Sequence, residues 1–522
     1  MKKIAIFIDT INAAQQATVS ELLSKNKDNT YIGLNLKKVT PHPNLKDAKD
    51  TQAFLDFCCS AQDLILIAPD NFSVDEKMLN SFFSNSLGNV WHIRTDGKLA
   101  RYRLNPNRKA STLLVFPGSI LPLTLGSHQR VFNLLVNLGK NGILVDVLIT
   151  TPKNVKQSEY QTALKTICNN VYIYKNNKKK HSTTVNTKRY LESKARTFLG
   201  KSKELPELFS ERLNTRPTES CKRWVNSLHL ANKYESVIVS YAWMMGALEY
   251  IIHDSDNFKV ICDTHDVQFT RNDDILNRKE RIFFNSLAEK KCELDELKKC
   301  DSVLAISVSD EDILNKALKK SVNTNVIRAS SGFDYALSQV KSRPHGKPLF
   351  FGFIGGQMSA NVKSLVHILD IWWPAIKQYS PDSKLFIAGS ICKSAEILPK
   401  IFLDTNIVPL GFVNNIGEFY NNIDVSLNPV LVQGGLNFKS VEAVFSGKHL
   451  VTNKLGQECL GTEFPSTIVE KPEDIIEFIS KYEFNLKKCY GIRVANQNKA
   501  KQLFANKKTY RELVNYLAGQ HA

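Results

Sequence analysis

Short β-rich runs alternate with helical patterns along almost the whole chain, and this alternation restricts its fold more than any other feature. Runs at 3–8, 63–68 and 90–93 are separated by helical patterns near 13–23, 51–59 and 75–83. A chain that returns repeatedly from helix to strand builds a parallel sheet with crossover helices. A second unit opens at Ser111, where STLLVFPGSILPLTLGSHQRVFNLLVNLGKNGILVDVLIT reads as strand, Pro/Gly loop, helix from near Ser127, a stop at Gly139 and Gly142, and strand. Further strands fit 171–174, 236–239, 259–263 and 302–307. A third unit begins at Leu349 with LFFGFIGG and alternates to about Tyr482, after which the pattern is helical. The segments RLNPNRKAS (103–111) and SGFDYALSQVKSRPHGKP (331–348) have linker composition. The expected division is an accessory α/β domain at 1–106, Rossmann-like domains at 107–335 and 336–482, and a helical tail at 483–522 that packs back on the second unit. At roughly 150 residues per domain, 522 residues give the same count of about three.

Composition bounds the partners. Hydrophobic content of 43% and charged content of 23% are those of a globular protein. The 69 Lys+Arg against 51 Asp+Glu leave a net charge of +18, which favours phosphate-bearing partners or an anionic membrane surface. The densest basic stretch, 176–203, reads as a solvated face or as a contact for an anionic acceptor or a membrane. Ten cysteines are scattered without a C-x-x-C pair, so neither a zinc site nor a disulfide frame is expected, and the thiols suit a reducing cytoplasm. Asp9 interrupts the apolar start too early for a signal peptide. The longest apolar stretch, 113–125, is broken by Pro117, Gly118 and Pro122, short of the roughly 18 residues a membrane helix needs. A cytoplasmic protein is expected, with at most a peripheral contact on the inner face of the membrane.

The segment 430–451, VLVQGGLNFKSVEAVFSGKHLV, carries the chemistry. A strand end, the pair Gly434 and Gly435, and a helix from about Asn437 place backbone N–H groups and the positive end of a helix dipole at a tight turn. Lys439 adds a cation, and Glu442, three residues on and on the same face, can accept hydrogen bonds from sugar hydroxyls. That order suits a nucleoside diphosphate; the alternative is an ordinary turn with a surface Lys and Glu. Gly352, Gly355 and Gly356 precede a second helix start, which Ser359 or Asn361 is expected to cap. The spacing is not GxGxxG, no acidic residue follows about 20 residues on, and no Walker A sequence occurs, so nicotinamide and P-loop readings are weak.

The blocks NVKSLVHILDIWWPAIKQYSPDSKLFIAG, GFV, 420–429 and GGLNFKSVEAVFSGKHLVT resemble the donor domain of retaining glycosyltransferases of family four, the glycosyl transferases group 1. LGSHQRVFNLLVNLGKNG, DTHDVQFTR and CDSVLAISVSDED resemble the partner domain, and the likeness spans about 111–480. It implies the GT-B fold, two Rossmann-like domains facing across a cleft, here with an extra N-terminal α/β subdomain. It further implies that Glu442 binds the donor ribose and Lys439 the diphosphate, and that Gly434, Gly435 and Leu436 lie near the donor sugar and phosphate. Gly411, Phe412 and Val413 would flank the base, Gly126 and Ser127 would approach the phosphates across the cleft, and Gly355 and Gly356 complete the expected binding set. Such enzymes neutralise the leaving diphosphate with protein groups rather than a metal. No metal site and no cofactor beyond the nucleotide-sugar co-substrate are expected.

Two departures stand out. The family often carries two glutamates with seven residues between them, and Gly434 takes the first position. Many members carry a His where this chain has Ser240 and Tyr241; His265 is the available catalytic substitute, with Asp263 and Asp266 expected to orient it and raise its basicity. A structural role for His265 is the alternative. Arg271 reads as a phosphate or acceptor contact or a surface charge, and Asp254-Ser255-Asp256, though similar to a metal-binding DxD, reads as a solvated turn. The expected function is sugar transfer from a nucleotide sugar to a glycan, lipid-linked or other cell-envelope acceptor, with retention. Alternatives are transfer to a nucleic-acid base, a non-catalytic binder of sugar nucleotide or glycan, and an epimerase of the same fold. The first 105 residues carry no motif of the glycosyltransferase resemblance and read as a structural extension, a docking or oligomerisation domain, or a degenerate Rossmann unit.

Overall fold

The strands Lys3–Ile8 (β1), Thr30–Leu34 (β2), Leu45–Asp47 (β3), Asp63–Ile67 (β4), Asn89–Ile93 (β5) and Leu99–Arg101 (β6) form a sheet of order β3-β2-β1-β4-β5-β6. The computed structural model describes residues 2–9, 11–25, 29–34, 45–48, 50–69, 76–83, 88–102, 111–123, 125–150, 157–174, 191, 194, 207–251, 258–270, 285–319, 324–331, 349–413, 416–431, 436–461, 464–484, 486–504 and 506–519. The linker 103–110, all but the first residue of 331–348, and nearly all of the basic stretch 176–203 lie outside them. Pairing in the first sheet is parallel except for β5–β6, an antiparallel hairpin turned at Gly97 with φ +77°. Alternate side chains of the central strands face opposite layers. Ile4, Ile6 and Ile8 pack with Val19 and Leu23 of the helix Ala13–Lys25, whereas Ala5, Leu64 and Leu66 face the other side with Phe54, Phe82 and Phe83. The short, partly polar strands β3 and β6 carry no strong strand pattern, and only pairing reveals them.

Where β1 and β4 part, an open sheet would normally admit a ligand. The buried Gln15, in the first turn of the helix after β1, reaches across the ends of β4 and β5, its Nε2 donating to the carbonyls of Ala68 at 3.0 Å and Ile93 at 2.9 Å.

The second sheet is fully parallel, of order β13-β12-β11-β10-β7-β8-β9. Its strands are Thr112–Pro117 (β7), Val145–Thr150 (β8), Val171–Tyr174 (β9), Ser236–Ser240 (β10), Lys259–Asp263 (β11), Ser302–Ala305 (β12) and Asn325–Arg328 (β13). The helix Gly126–Lys140 follows β7 and is tied to the sheet by the buried Arg130. The Arg130 guanidinium donates from Nε to Asp263 Oδ1 at 3.0 Å and Oδ2 at 3.1 Å, and from Nη1 to the Ala329 carbonyl at 2.5 Å.

The third sheet, also parallel, has the order β16-β15-β14-β17-β18-β19, with Phe350–Ile354 (β14), Lys384–Ala388 (β15), Ile407–Gly411 (β16), Val425–Leu427 (β17), His449–Thr452 (β18) and Thr467–Ile468 (β19). The helix after β14 passes through a π-helical turn, Ile368–Trp372, just before Pro374, whose missing N–H breaks the regular ladder. The tail divides between the two larger domains. Helix Leu486–Leu503 is held on the third, with Arg493 Nε donating to the Gly447 carbonyl at 2.7 Å. Beyond it, Tyr510 Oη donates to the Arg130 carbonyl at 3.4 Å, and Lys259 Nζ to the Tyr516 carbonyl at 2.7 Å, tying the last helix to the second domain. Among the described residues no helix is long and apolar enough to cross a membrane.

Candidate functional site

The floor of the cleft between the second and third domains is backbone, because glycines let three strand ends converge. A Cβ on Gly389 would lie 2.2 Å from the Gly355 carbonyl oxygen, and its φ of +97° suits only glycine. The freed approach is used for hydrogen bonds: Gly355 N donates to Ala388 O at 3.0 Å, Gly389 N to Gly411 O at 2.6 Å, and Ile391 N to Gly355 O at 3.1 Å. The facing wall is Leu123, Leu125, Gly126 and Gln129 of the second domain. A Cβ on Gly126 would meet the Phe438 ring at 3.2 Å, so two helix starts, one from each domain, touch at this glycine. The space between floor and wall, about 570 Å³ and open on one side to solvent, is that of a small-ligand site.

Helices Gly126–Lys140 and Ser359–His367 both begin at the cleft without a side-chain cap. Their first N–H groups and dipoles favour an anion. The expectation that Ser359 or Asn361 caps the second of these is corrected: Met358 is at the cap position, and Asn361 lies inside the first turn. Its Nδ2 donates to Gly356 O at 3.1 Å, and its Oδ1 accepts from Lys439 Nζ at 2.7 Å. Asn437 does cap Phe438–Phe445, accepting from Ser440 N at 3.4 Å. The buried Asn428 braces that cap, its Nδ2 donating to Asn437 Oδ1 at 2.8 Å and to Ser440 Oγ at 2.7 Å.

Lys439 and Glu442 stand one turn apart and both line the cleft. The Lys439 ammonium lies 4.6 Å from the Phe353 ring centroid. Burial lowers its pKa to about 8, against the opposing pull of Glu442. Burial also raises Glu442 to about 7, although the Tyr420 hydroxyl, donating to Oε2 at 3.3 Å, and Lys439 both favour its ionised form. Burial thus disfavours the charged form of both the cation and the acid in this cleft, and an anionic, hydroxylated ligand would compensate them.

Gly126, Gly355, Gly356, Phe412, Val413, Lys439 and Glu442 are brought together. Ser127 and Gly411 adjoin lining residues without lining the space, and Leu436 is buried in the cluster of Phe419 and Val441. Gly434, Gly435, Arg271 and Asp254 to Asp256 lie outside the described residues. His265 is buried at the end of β11 and is not part of the lining. Its expected gain in basicity is corrected: desolvation lowers its pKa to about 4, and the nearby Arg130 outweighs part of the help from Asp263 and Asp266. Asp263 is already committed to Arg130, and His265 Nε2 lies 3.3 Å from Asp263 Oδ2 without hydrogen-bond alignment. The imidazole, held at φ +59°, stacks on Tyr241 at 4.2 Å. Sequence reasoning missed the contributions of Asn361 to Lys439, of Tyr420 to Glu442, and of Gln129, Gln357 and Ser390 to the lining. The partners of the first two lie 78 and 22 residues away, and no local pattern signals them.

Residues 349–483 match the family model of the glycosyl transferases group 1. A Klebsiella pneumoniae protein described as an uncharacterized 42.6 kDa protein in the cps region is 30% identical over 81 residues, which span 16% of this chain and 21% of that relative. Sucrose-phosphate synthase of Thermosynechococcus elongatus superposes with a TM-score of 0.53 at 12% identity, covering 79% of this chain and 98% of its own. HepE of Anabaena, solved with UDP, gives 0.53 at 15% identity over 78% and 100%. A TarM mutant of S. aureus, solved with fondaparinux, alpha-GlcNAc-glycerol and UDP, gives 0.51 at 12% over 78% and 100%. The fold is GT-B, two Rossmann-like domains across a cleft, and the third α/β domain resembles the glycosyl transferases group 1 in sequence as well.

Proposed function

We propose that this protein is a glycosyltransferase that binds a nucleoside diphosphate sugar in the cleft and transfers the sugar, with retention, to a glycan or lipid-linked cell-envelope acceptor. The observation that carries the reading is Lys439 and Glu442 on one helical turn, facing a 570 Å³ cleft where two further helices begin uncapped. As the bond from the anomeric carbon to the diphosphate oxygen breaks, the electron pair goes to the leaving diphosphate. Lys439, released from Asn361, and the helix-start N–H groups would meet that charge; such preorganised donors cost no reorganisation at the moment of reaction. Glu442 would accept from the ribose hydroxyls, and the exposed ring of Phe412 at the rim suits a base. UDP in HepE and TarM and the cps-region relative support a nucleotide donor and a surface-polysaccharide acceptor.

The test is a thermal-shift screen with UDP-, GDP-, ADP- and CMP-sugars, since a ligand that binds only the folded form raises the Tm. At least one of the three nucleoside diphosphate sugars is expected to do so and to release its nucleoside diphosphate faster when acceptor is added, with the CMP-sugar, which would release a monophosphate, as the contrast. Absence of a shift with all three diphosphate sugars would sink the proposal. A binding-only reading is favoured by Gly434 in place of a family glutamate, and a donor that binds without any transfer across an acceptor panel would select it.

A further inference from the structure

The first α/β domain shares a hydrophobic core with the cleft-forming domain. Phe54, Phe82 and Phe83 of the first belong to one buried cluster with Ile120, Leu121, Leu123 and Phe132 of the second. Phe83 makes two of these contacts. Its ring lies 5.5 Å from that of Phe132, on the helix that begins at Gly126, and its carbonyl accepts from Leu123 N at 3.0 Å. Leu123, Leu125 and Gly126 are the wall of the cleft opposite Lys439. The rest of the connection is tied within its own domain: the Tyr160 hydroxyl accepts from the amides of Ile120 and Leu121, and His128 Nδ1 donates to Pro122 O at 2.9 Å. Leu123 is thus the point where the wall depends on the first domain. The solved neighbours are covered almost to their full length yet leave about a fifth of this chain over, a share of the size of that domain.

We infer that the first α/β domain is a positioning element for the donor cleft, with Phe83 setting the wall of Leu123, Leu125 and Gly126 at the distance that lets the Gly126 helix start approach a bound diphosphate. The inference rests on the nucleotide-sugar reading of the cleft. When the wall is released, only a fraction of molecules holds the binding geometry, and the apparent affinity falls by that fraction. The experiment compares the full-length protein with Phe83→Ala, Phe83→Leu and, as control, Val19→Ala, which thins the core on the opposite face of the same sheet. Two quantities are read: amide hydrogen exchange in the peptide spanning 118–126, and UDP affinity by calorimetry. Phe83→Ala is expected to speed exchange at Leu123 and to weaken UDP binding about tenfold. Phe83→Leu gives a smaller effect in the same order and decides the matter should Phe83→Ala not fold. Val19→Ala is expected to leave both quantities at wild-type values even where its Tm falls as far. Wild-type exchange and affinity in the Phe83 variants would overturn the inference, as would equal changes in Val19→Ala. If the unaltered protein binds no UDP, the nucleotide reading fails in its UDP form, and the exchange difference alone decides whether Phe83 holds the wall.

Discussion

Replacing Lys439 by methionine removes the cleft's central cation while keeping a flexible apolar side chain of similar length over Phe353. In the empty protein the substitution gives up the 2.7 Å hydrogen bond to Asn361, worth about 1 kcal/mol net. It also gives up a cation–π contact of about 0.5–2 kcal/mol. It recovers the cost of burying a charge, whose size shows in the fall of the Lys439 pKa to about 8. These terms oppose one another, and stability is expected to stay within about 1–2 kcal/mol of wild type. Binding has no such offset. A charge-assisted hydrogen bond to a diphosphate oxygen is worth about 1.5–3 kcal/mol, or a loss of about 10- to 150-fold in affinity. Calorimetric titration with UDP, paired with a denaturant melt of each protein, reads both quantities. A UDP Kd within threefold of wild type, or a stability loss large enough to explain the weakened binding, would refute the reasoning.

Nucleotide affinity should fall as pH rises through about 8, where the free Lys439 loses its proton while a bound anion would retain it, and Lys439→Arg should shift that fall beyond the measurable range in the same titration. Glu442 has a folded pKa raised from 4.5 to about 7, so its protonation contributes stability that is fully present below pH 4.5 and lost as pH rises through about 7. Melts from pH 4 to 8 should show that loss in wild type and a flatter profile in Glu442→Gln. Gly389→Ala places a Cβ 2.2 Å from a carbonyl oxygen at φ +97°, and a destabilisation of about 2 kcal/mol or more with loss of the thermal shift is expected. Asp263→Ala strands the buried Arg130 and should cost about 3–5 kcal/mol by denaturant melt, whereas Arg130→Met with Asp263→Leu should cost less than the single change.

Strand and helix periodicity is a local property, which is why the alternation from Lys3 onward and from Leu349 onward was readable before any contact was known. Lys439 and Glu442 were legible for the same reason: three residues apart on a helix opened by Asn437, they share a face whatever the rest of the chain does. Strands such as Leu45–Asp47 and Asn325–Arg328 were not, because their short mixed patterns become strands only through a neighbour's hydrogen bonds. Nor could local order show that Gln15 bridges the ends of β4 and β5, that Asn361 holds Lys439 across 78 residues, that Arg130 claims Asp263, or that burial leaves His265 a weak base. Spacing along the chain determined which groups this protein can present. Burial decided how they are charged and which partner each one meets, since dielectric and distance exist only once remote segments have been packed together.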